Sequence, residues 1–288
     1  MDPRILELYD AFTHTPLGRR AFVARLARLA GGVSAALALL PLLENDYARA
    51  AVVPEDDARL DAQRVTYPGP RGPVRAYLAR LGGDGPRPAV VVIHENRGLN
   101  PHIEDVARRA AVAGFLALAP DGLSSEGGTP EDPDRARELI EGLDPALARD
   151  VFLAALAWLQ GHPASTGRVG CVGFCWGGGM ANQLAVHAPE LRAAVAFYGR
   201  PPASEDVARI RAALLLHYAG LDDRINQGIS AFEAALREAG VDYELYRYEG
   251  VQHAFHNDTS PARYDEAAAK LAWQRTLAFL ERRLSSAP

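Results

Sequence analysis

The chain has 288 residues, 48% of them hydrophobic, and a formal net charge of −5, which is typical of a globular protein with one large domain and an appendage. Acidic and basic residues are interspersed, so no basic stripe could neutralise nucleic-acid phosphates, and we expect no nucleic-acid partner. With only two cysteines, Cys171 and Cys175, the sequence excludes a disulfide framework and a four-cysteine zinc site.

The N-terminal segment has the order of features of a twin-arginine export signal. Gly18, Arg19 and Arg20 precede an uncharged run over residues 29–43, and small residues follow near position 50. The run is shorter than the roughly 20 apolar residues of a membrane span, so no stable membrane span is predicted. Two interpretations of residues 1–50 remain open: a packed helical arm retained in a cytoplasmic protein, or a cleaved signal of a periplasmic one.

The second predicted unit, residues 51–288, alternates strands with helices. This alternation predicts an α/β fold with a mostly parallel, doubly wound sheet, whose ligands bind at the carboxyl ends of the strands. An antiparallel edge hairpin precedes the parallel strands. The predicted strands cover residues 65–67, 74–78, 89–93, 115–119, 169–174, 193–197, 214–217 and 243–248, and the predicted helices cover 103–113, 146–160, 178–187, 229–239 and 264–284.

The turn Gly173-Phe174-Cys175-Trp176-Gly177 has the pattern of a nucleophile elbow. Such a turn needs glycines two residues before and two after the nucleophile, because strand and helix approach too closely there for a Cβ atom. A buried strand precedes the motif and a helix follows it, as the motif requires. Cys175 is therefore the predicted nucleophile, whereas Cys171 lies within the strand and is predicted to be a core residue.

A general base and an acid are expected after the nucleophile, the acid first. Asp222 follows the buried strand over residues 214–217 and is the predicted acid, with its neighbour Asp223 as the alternative. His253 lies in the loop before the last helix and is the predicted base. Two other histidines are less well placed: His256, a weaker candidate base, and His217, inside an apolar strand.

An oxyanion hole requires two N–H donors. We expect them to be the backbone N–H groups of Trp176, directly after the nucleophile, and of Asn96, in the loop after an earlier strand. Glu95 lies beside a buried strand end and needs a partner there. That partner is either the catalytic centre or, in a purely structural interpretation, an arginine such as Arg97.

Together these residues resemble the dienelactone hydrolase family from about Val65 to Leu284. The resemblance implies an α/β-hydrolase fold and a Cys175, His253, Asp222 triad that cleaves esters or lactones through an acyl-thioester, without metal or organic cofactor. It also implies that Glu95 hydrogen-bonds the resting thiol. The motifs that carry it are His94-Glu95-Asn96-Arg97-Gly98, Gly173-Phe174-Cys175-Trp176-Gly177-Gly178, Gly220-Leu221-Asp222 and His253-Ala254-Phe255.

The expected partner is a small ester or lactone, and a homodimer is left open. Founding family members hold the dienelactone carboxylate with arginines, one of them shortly after the catalytic histidine, where this chain has His256 and Asn257. Arg135 or Arg137 remains a candidate for another. The candidate substrate-binding residues are Arg97, Tyr198, Phe255 and His256.

Two competing interpretations are kept. In one, the protein keeps the elbow but only binds a small molecule. In the other, His253, His256, His94 and Glu95 bind a metal ion, although their spacing does not match a helical zinc motif.

Overall fold

The computed structural model describes residues 1–47 and 52–285, so the predicted boundary between residues 50 and 51 lies outside the described residues. An eight-stranded sheet forms the centre of the described part. Its strands are β1 (Leu60–Gly69), β2 (Gly72–Leu81), β3 (Arg87–Ile93), β4 (Leu116–Pro120), β5 (Ser165–Phe174), β6 (Ala193–Phe197), β7 (Ala213–Ala219) and β8 (Tyr243–Tyr248).

The strand order is β1-β2-β4-β3-β5-β6-β7-β8. The hairpin of β1 and β2 is antiparallel, and β2 pairs antiparallel with β4, whereas every later pairing is parallel. The predicted mostly parallel α/β sheet with an edge hairpin is therefore confirmed. Because β5 to β8 are parallel, the loops that follow them meet at one edge of the sheet.

Helices cover both faces of the sheet, which explains why the central strands are apolar on both sides. The helices after the N-terminal segment are α4 (Pro101–Val112), α5 (Pro133–Gly142), α6 (Pro145–Gln160), α7 (Trp176–His187), α8 (Asp223–Asn226), α9 (Ile229–Glu238) and α10 (Glu266–Ser285). One face of the sheet packs against α6, α7 and α9, and the other packs against α4 and α10.

The sequence analysis missed α5, although its start has a clear local signal. Asp132 caps the helix and Pro133 occupies its first turn, a combination that stabilises a helix N-terminus. Asn100 before α4 and Asp144 before α6 act in the same way. In all three caps the side-chain oxygen accepts hydrogen bonds from backbone N–H groups of the first turn.

The N-terminal segment forms α1 (Pro3–His14), α2 (Arg19–Ala30) and α3 (Val33–Leu43). These helices share a small core that includes Tyr9, Phe12 and Phe22, and the rings of Phe12 and Phe22 stack with centroids 4.4 Å apart. None of the described helices alone has the length and apolarity to cross a membrane. Taken together, α2 and α3 do, but they are bent by 111° at the break between them.

Candidate active site

Cys175 lies between β5 and α7 in a conformation that L-residues rarely adopt, with φ 56° and ψ −115°. Its N–H donates to the carbonyl of Phe197 on the neighbouring strand (3.0 Å). A Cβ at Gly173 would lie 1.9 Å from the carbonyl oxygen of Gly177, and one at Gly177 would lie 2.4 Å from that of His94. Both glycines are therefore required for the turn that presents the sulfur.

Two further side chains reach this turn from the loops after β7 and β8. The Nδ1 atom of His253 lies 2.5 Å from Asp222 Oδ2, and both residues are buried. A ring nitrogen of His253 lies within 4.8 Å of Cys175 Sγ. Asp222 also caps α8, whereas its neighbour Asp223 is exposed. The structure thus brings Cys175, His253 and Asp222 together.

The charges of these groups stabilise each other. Burial alone would raise the pKa of the Cys175 thiol, but the positive charges of His14 and His253 outweigh burial and lower that pKa to about 6. Burial would lower the pKa of His253, but the Cys175 thiolate and the Asp222 carboxylate raise it to about 10. Between these values the favoured state is a thiolate beside an imidazolium.

The predicted oxyanion donors lie in the same cleft as the sulfur. Trp176 is the first residue of α7, and its indole stacks on the His94 imidazole (centroids 5.2 Å apart). His94 is itself fixed, because Gly122 N–H donates to its Nε2 (3.1 Å). Asn96 lines the cleft beside Cys175. No described residue accepts a hydrogen bond from the backbone N–H of Trp176 or Asn96, which leaves both donors for a ligand.

Glu95 and Arg97 do not pair with each other. The buried Glu95 carboxylate accepts a hydrogen bond from Asn257 Nδ2 (2.7 Å), and Arg97 forms an ion pair with Asp134 (3.0 Å). The hydrogen bond between the resting thiol and the Glu95 carboxylate, which the family resemblance implied, is not formed among the described residues. The Cys175 sulfur has His14 as its partner instead.

The four candidate substrate-binding residues lie in different places. Tyr198 lines the cleft, as expected, and no described residue hydrogen-bonds its hydroxyl. Phe255 and His256 lie instead in the core, fully and almost fully buried, with the His256 ring stacked on Phe174. The reason is local: Ala254, at φ 65°, turns the chain inward after His253. Arg97 does not line this cleft, and its guanidinium forms an ion pair with Asp134.

Two side chains outside this group occupy the core positions assigned to them by the sequence. Cys171 is fully buried in β5, and burial raises its pKa to about 12. His217 is also fully buried and is hydrogen-bonded to Tyr248 (3.0 Å) and Thr276 (3.1 Å). Burial lowers the pKa of His217 to about 3, so its imidazole is neutral.

The cleft in front of the sulfur has a volume of about 670 Å³. Arg137, from α5, lines it, whereas Arg135 is paired with Glu138 and does not (3.1 Å). Three further arginines that line the cleft, Arg149, Arg200 and Arg224, were not predicted from the sequence. Arg200 and Arg224 follow strands, β6 and β7, so their positions at the carboxyl edge of the sheet could have revealed them.

The largest omission of the sequence analysis is His14, at the end of α1. Its Nε2 lies 3.2 Å from Cys175 Sγ. One donor atom each from His14, Cys175 and His253 lie within 4.8 Å of one another. The metal site considered from the sequence used other residues, and two of them are held elsewhere. The His256 ring is stacked in the core, and the Glu95 carboxylate accepts a hydrogen bond from Asn257.

Comparison with known proteins places most of the chain in one family. The profile of the dienelactone hydrolase family matches residues 74–284. A candidate carboxymethylenebutenolidase of Methylorubrum extorquens is 33% identical over 284 residues, which cover 93% of this chain and 94% of that protein. A candidate hydrolase fragment of Escherichia coli is 56% identical over 113 residues, or 38% of this chain and 97% of the fragment.

Solved structures agree with the sequence comparisons. The crystal structure of a candidate dienelactone hydrolase from Klebsiella pneumoniae superposes with a TM-score of 0.71 at 32% sequence identity. The superposition covers 77% of this chain and 99% of that one. The α/β-hydrolase fold expected from the elbow motif is therefore confirmed.

The close contact at the elbow predicts the effect of a single methyl group. Gly173→Ala should lower the free energy of unfolding by about 1–3 kcal/mol, since the new Cβ meets backbone that cannot move aside. Urea unfolding measures this free energy for the wild-type protein and the variant. Gly142→Ala is the matched control, because a Cβ there has no atom within 4 Å. Equal stability of the two variants would contradict the account of the turn.

The thiol pKa predicts how Cys175 reacts with iodoacetamide. The alkylation rate should rise as the pH increases through about 6, because below that value the sulfur is protonated. Peptide mass spectrometry should find Cys175 alkylated at neutral pH and Cys171 unmodified, which provides an internal control. A rate that rises only near the ordinary cysteine pKa of about 8.5 would show that the histidines do not stabilise the thiolate.

Proposed function

The chain belongs to the dienelactone hydrolase family and is an ester-bond hydrolase, and from this premise we propose that it cleaves carboxylic esters or lactones through an acyl-thioester on Cys175. One observation carries the proposal: the strained Cys175 lies at the start of α7 with the hydrogen-bonded pair of His253 and Asp222 beside it. A buried cysteine that served only packing would need neither the strained backbone nor two buried charged neighbours.

The first step is the attack of the thiolate on the ester carbonyl carbon. The S–C bond forms, and the carbonyl π electrons move to the oxygen. That oxyanion is stabilised by the backbone N–H groups of Trp176 and Asn96 and by the N-terminus of α7. Removing one such donor typically costs about 2.7–4 kcal/mol of transition-state stabilisation.

In the second step the C–O bond to the leaving group breaks, and the leaving oxygen takes the proton of the His253 imidazolium. Asp222, bonded to Nδ1, holds the ring in the required orientation and stabilises its positive charge. Water then attacks the thioester while His253 accepts its proton, and the thiolate is released. A thiolate leaves more readily than an alkoxide, so esters with phenol or enol leaving groups should react best.

The elbow cysteine is tested with p-nitrophenyl acetate. We expect a burst of p-nitrophenol and steady turnover by the wild-type protein, both unaffected by a chelator. Cys175→Ala should lower kcat by a factor on the order of 10⁴ or more, because the nucleophile is lost. Cys171→Ala is the matched control, since Cys171 is a core residue of β5, the strand that precedes the elbow.

Two results would contradict the proposal. A Cys175→Ala protein that still turns over the ester at the wild-type rate would exclude the cysteine nucleophile. A wild-type protein that binds short esters but turns over none of them would favour the small-molecule-binding interpretation instead.

A further inference from the structure

The N-terminal arm, defined here as α1 and the residues up to Thr15, brings a second histidine to the nucleophile. His14 Nε2 lies 3.2 Å from Cys175 Sγ. Its ring meets that of His253 edge to face, with centroids 4.5 Å apart and planes at 78°. His14 therefore contacts the reacting atom itself and lies next to the histidine that the family motif supplies.

An aspartate one turn earlier in α1 holds His14 in this position. His14 Nδ1 lies 3.0 Å from Asp10 Oδ1 and 2.9 Å from the Asp10 carbonyl oxygen. Because Nδ1 is occupied, Nε2 is the nitrogen that faces the sulfur. As in the pair of Asp222 and His253, a carboxylate lies beside Nδ1, but the Asp222 contact is a hydrogen bond and the Asp10 contact is an ion pair.

The catalytic domain binds the arm at several points. Asn96 Nδ2 donates to the carbonyl oxygen of Thr13 (2.7 Å), next to His14. Arg224 lies 3.4 Å from Asp10 Oδ2. The arm also buries the ring of Tyr9 under the guanidinium of the buried Arg263, 4.9 Å from the ring centroid. The position of His14 thus follows from contacts made by Tyr9, Asp10 and Thr13, the residues that precede it in the arm.

The arm forms a wall of the cleft and does not close it. His14 and Cys175 both line the same cavity of about 670 Å³, which extends past Met180 and Arg200. A substrate carbonyl can therefore approach the sulfur through this cavity. An arm that served as a plug would have to fill this cavity.

We propose that His14 is a second catalytic histidine, which the N-terminal arm supplies to hold Cys175 as a thiolate beside His253. The inference rests on the proposed cysteine nucleophile. The groups that face His14 are Asp10 on its own helix, Cys175 on the elbow and His253 on the loop after β8. Burial and the positive charge of His253 lower the pKa of His14, but the thiolate of Cys175 and the Asp10 carboxylate outweigh them and raise that pKa.

The test compares variants of the full chain. His14→Gln should raise the pH midpoint of Cys175 alkylation by about one unit, as expected when a nearby opposite charge is lost. At pH 6 it should also lower kcat/KM for p-nitrophenyl acetate about fivefold, because the thiolate fraction falls from about one half to about one tenth. Asp10→Asn should act in the same direction to a smaller extent, and it keeps the test valid if His14→Gln folds poorly. Added imidazole should restore part of the activity of His14→Ala.

Two variants serve as matched controls. Glu7→Gln makes the same change of acid to amide as Asp10→Asn on an exposed position of α1. His187→Gln removes a histidine from the far end of α7, where it bonds the carbonyl of Gln183 (2.9 Å). Both should leave the alkylation midpoint unchanged and kcat/KM within twofold.

Two outcomes would overturn the inference. An unchanged midpoint and unchanged kcat/KM in His14→Gln would make His14 a packing residue. Increased activity in His14→Gln or Asp10→Asn would make the arm an inhibitor. Failure of the proposed function is a separate result: Cys175→Ala would then remain active, while the alkylation midpoint would still report whether His14 stabilises the thiolate.

Discussion

The close approach of β5 to α7 around Cys175 is the constraint on which the rest of the site depends. Because Gly173 and Gly177 have no Cβ, the chain can turn sharply enough to leave Cys175 at a positive φ, with its sulfur at the start of a helix. The parallel sheet then places the loops after β7 and β8 at the same edge. His253 therefore lies beside the sulfur, and Asp222 hydrogen-bonds His253 from the neighbouring loop.

Charge pairing is the second requirement, because the site is buried. An unpaired buried thiolate or imidazolium would be costly, and each charge here has an opposite charge beside it. Asp222 pairs with His253, Asp10 pairs with His14, and both imidazoles face Cys175. This arrangement explains how a buried thiol can have a lowered pKa. It also makes α1 part of the electrostatics of the candidate active site.

Local signals in the sequence were sufficient for the sheet and for the elbow. The pattern that predicts each strand lies within one continuous stretch of sequence, and the glycines of the elbow are only two residues from Cys175. Contacts between distant segments were not readable. The Glu95 carboxylate accepts a hydrogen bond from Asn257, 162 positions away. His14 reaches Cys175 from 161 positions away, in a segment that resembles an export signal. The inward turn at Ala254 depends on a positive φ, and an alanine in the sequence gives no sign of that conformation.

The central claim is that catalysis passes through an acyl group on Cys175. Its most direct test is to quench the reaction with p-nitrophenyl acetate in acid during turnover and to locate the acetyl group by intact-protein and peptide mass spectrometry. The account predicts one acetyl group per chain, on Cys175, which is absent in Cys175→Ala and disappears when the substrate is exhausted. Turnover with no acetylated Cys175, or with a transient acetyl group on another residue, would contradict it.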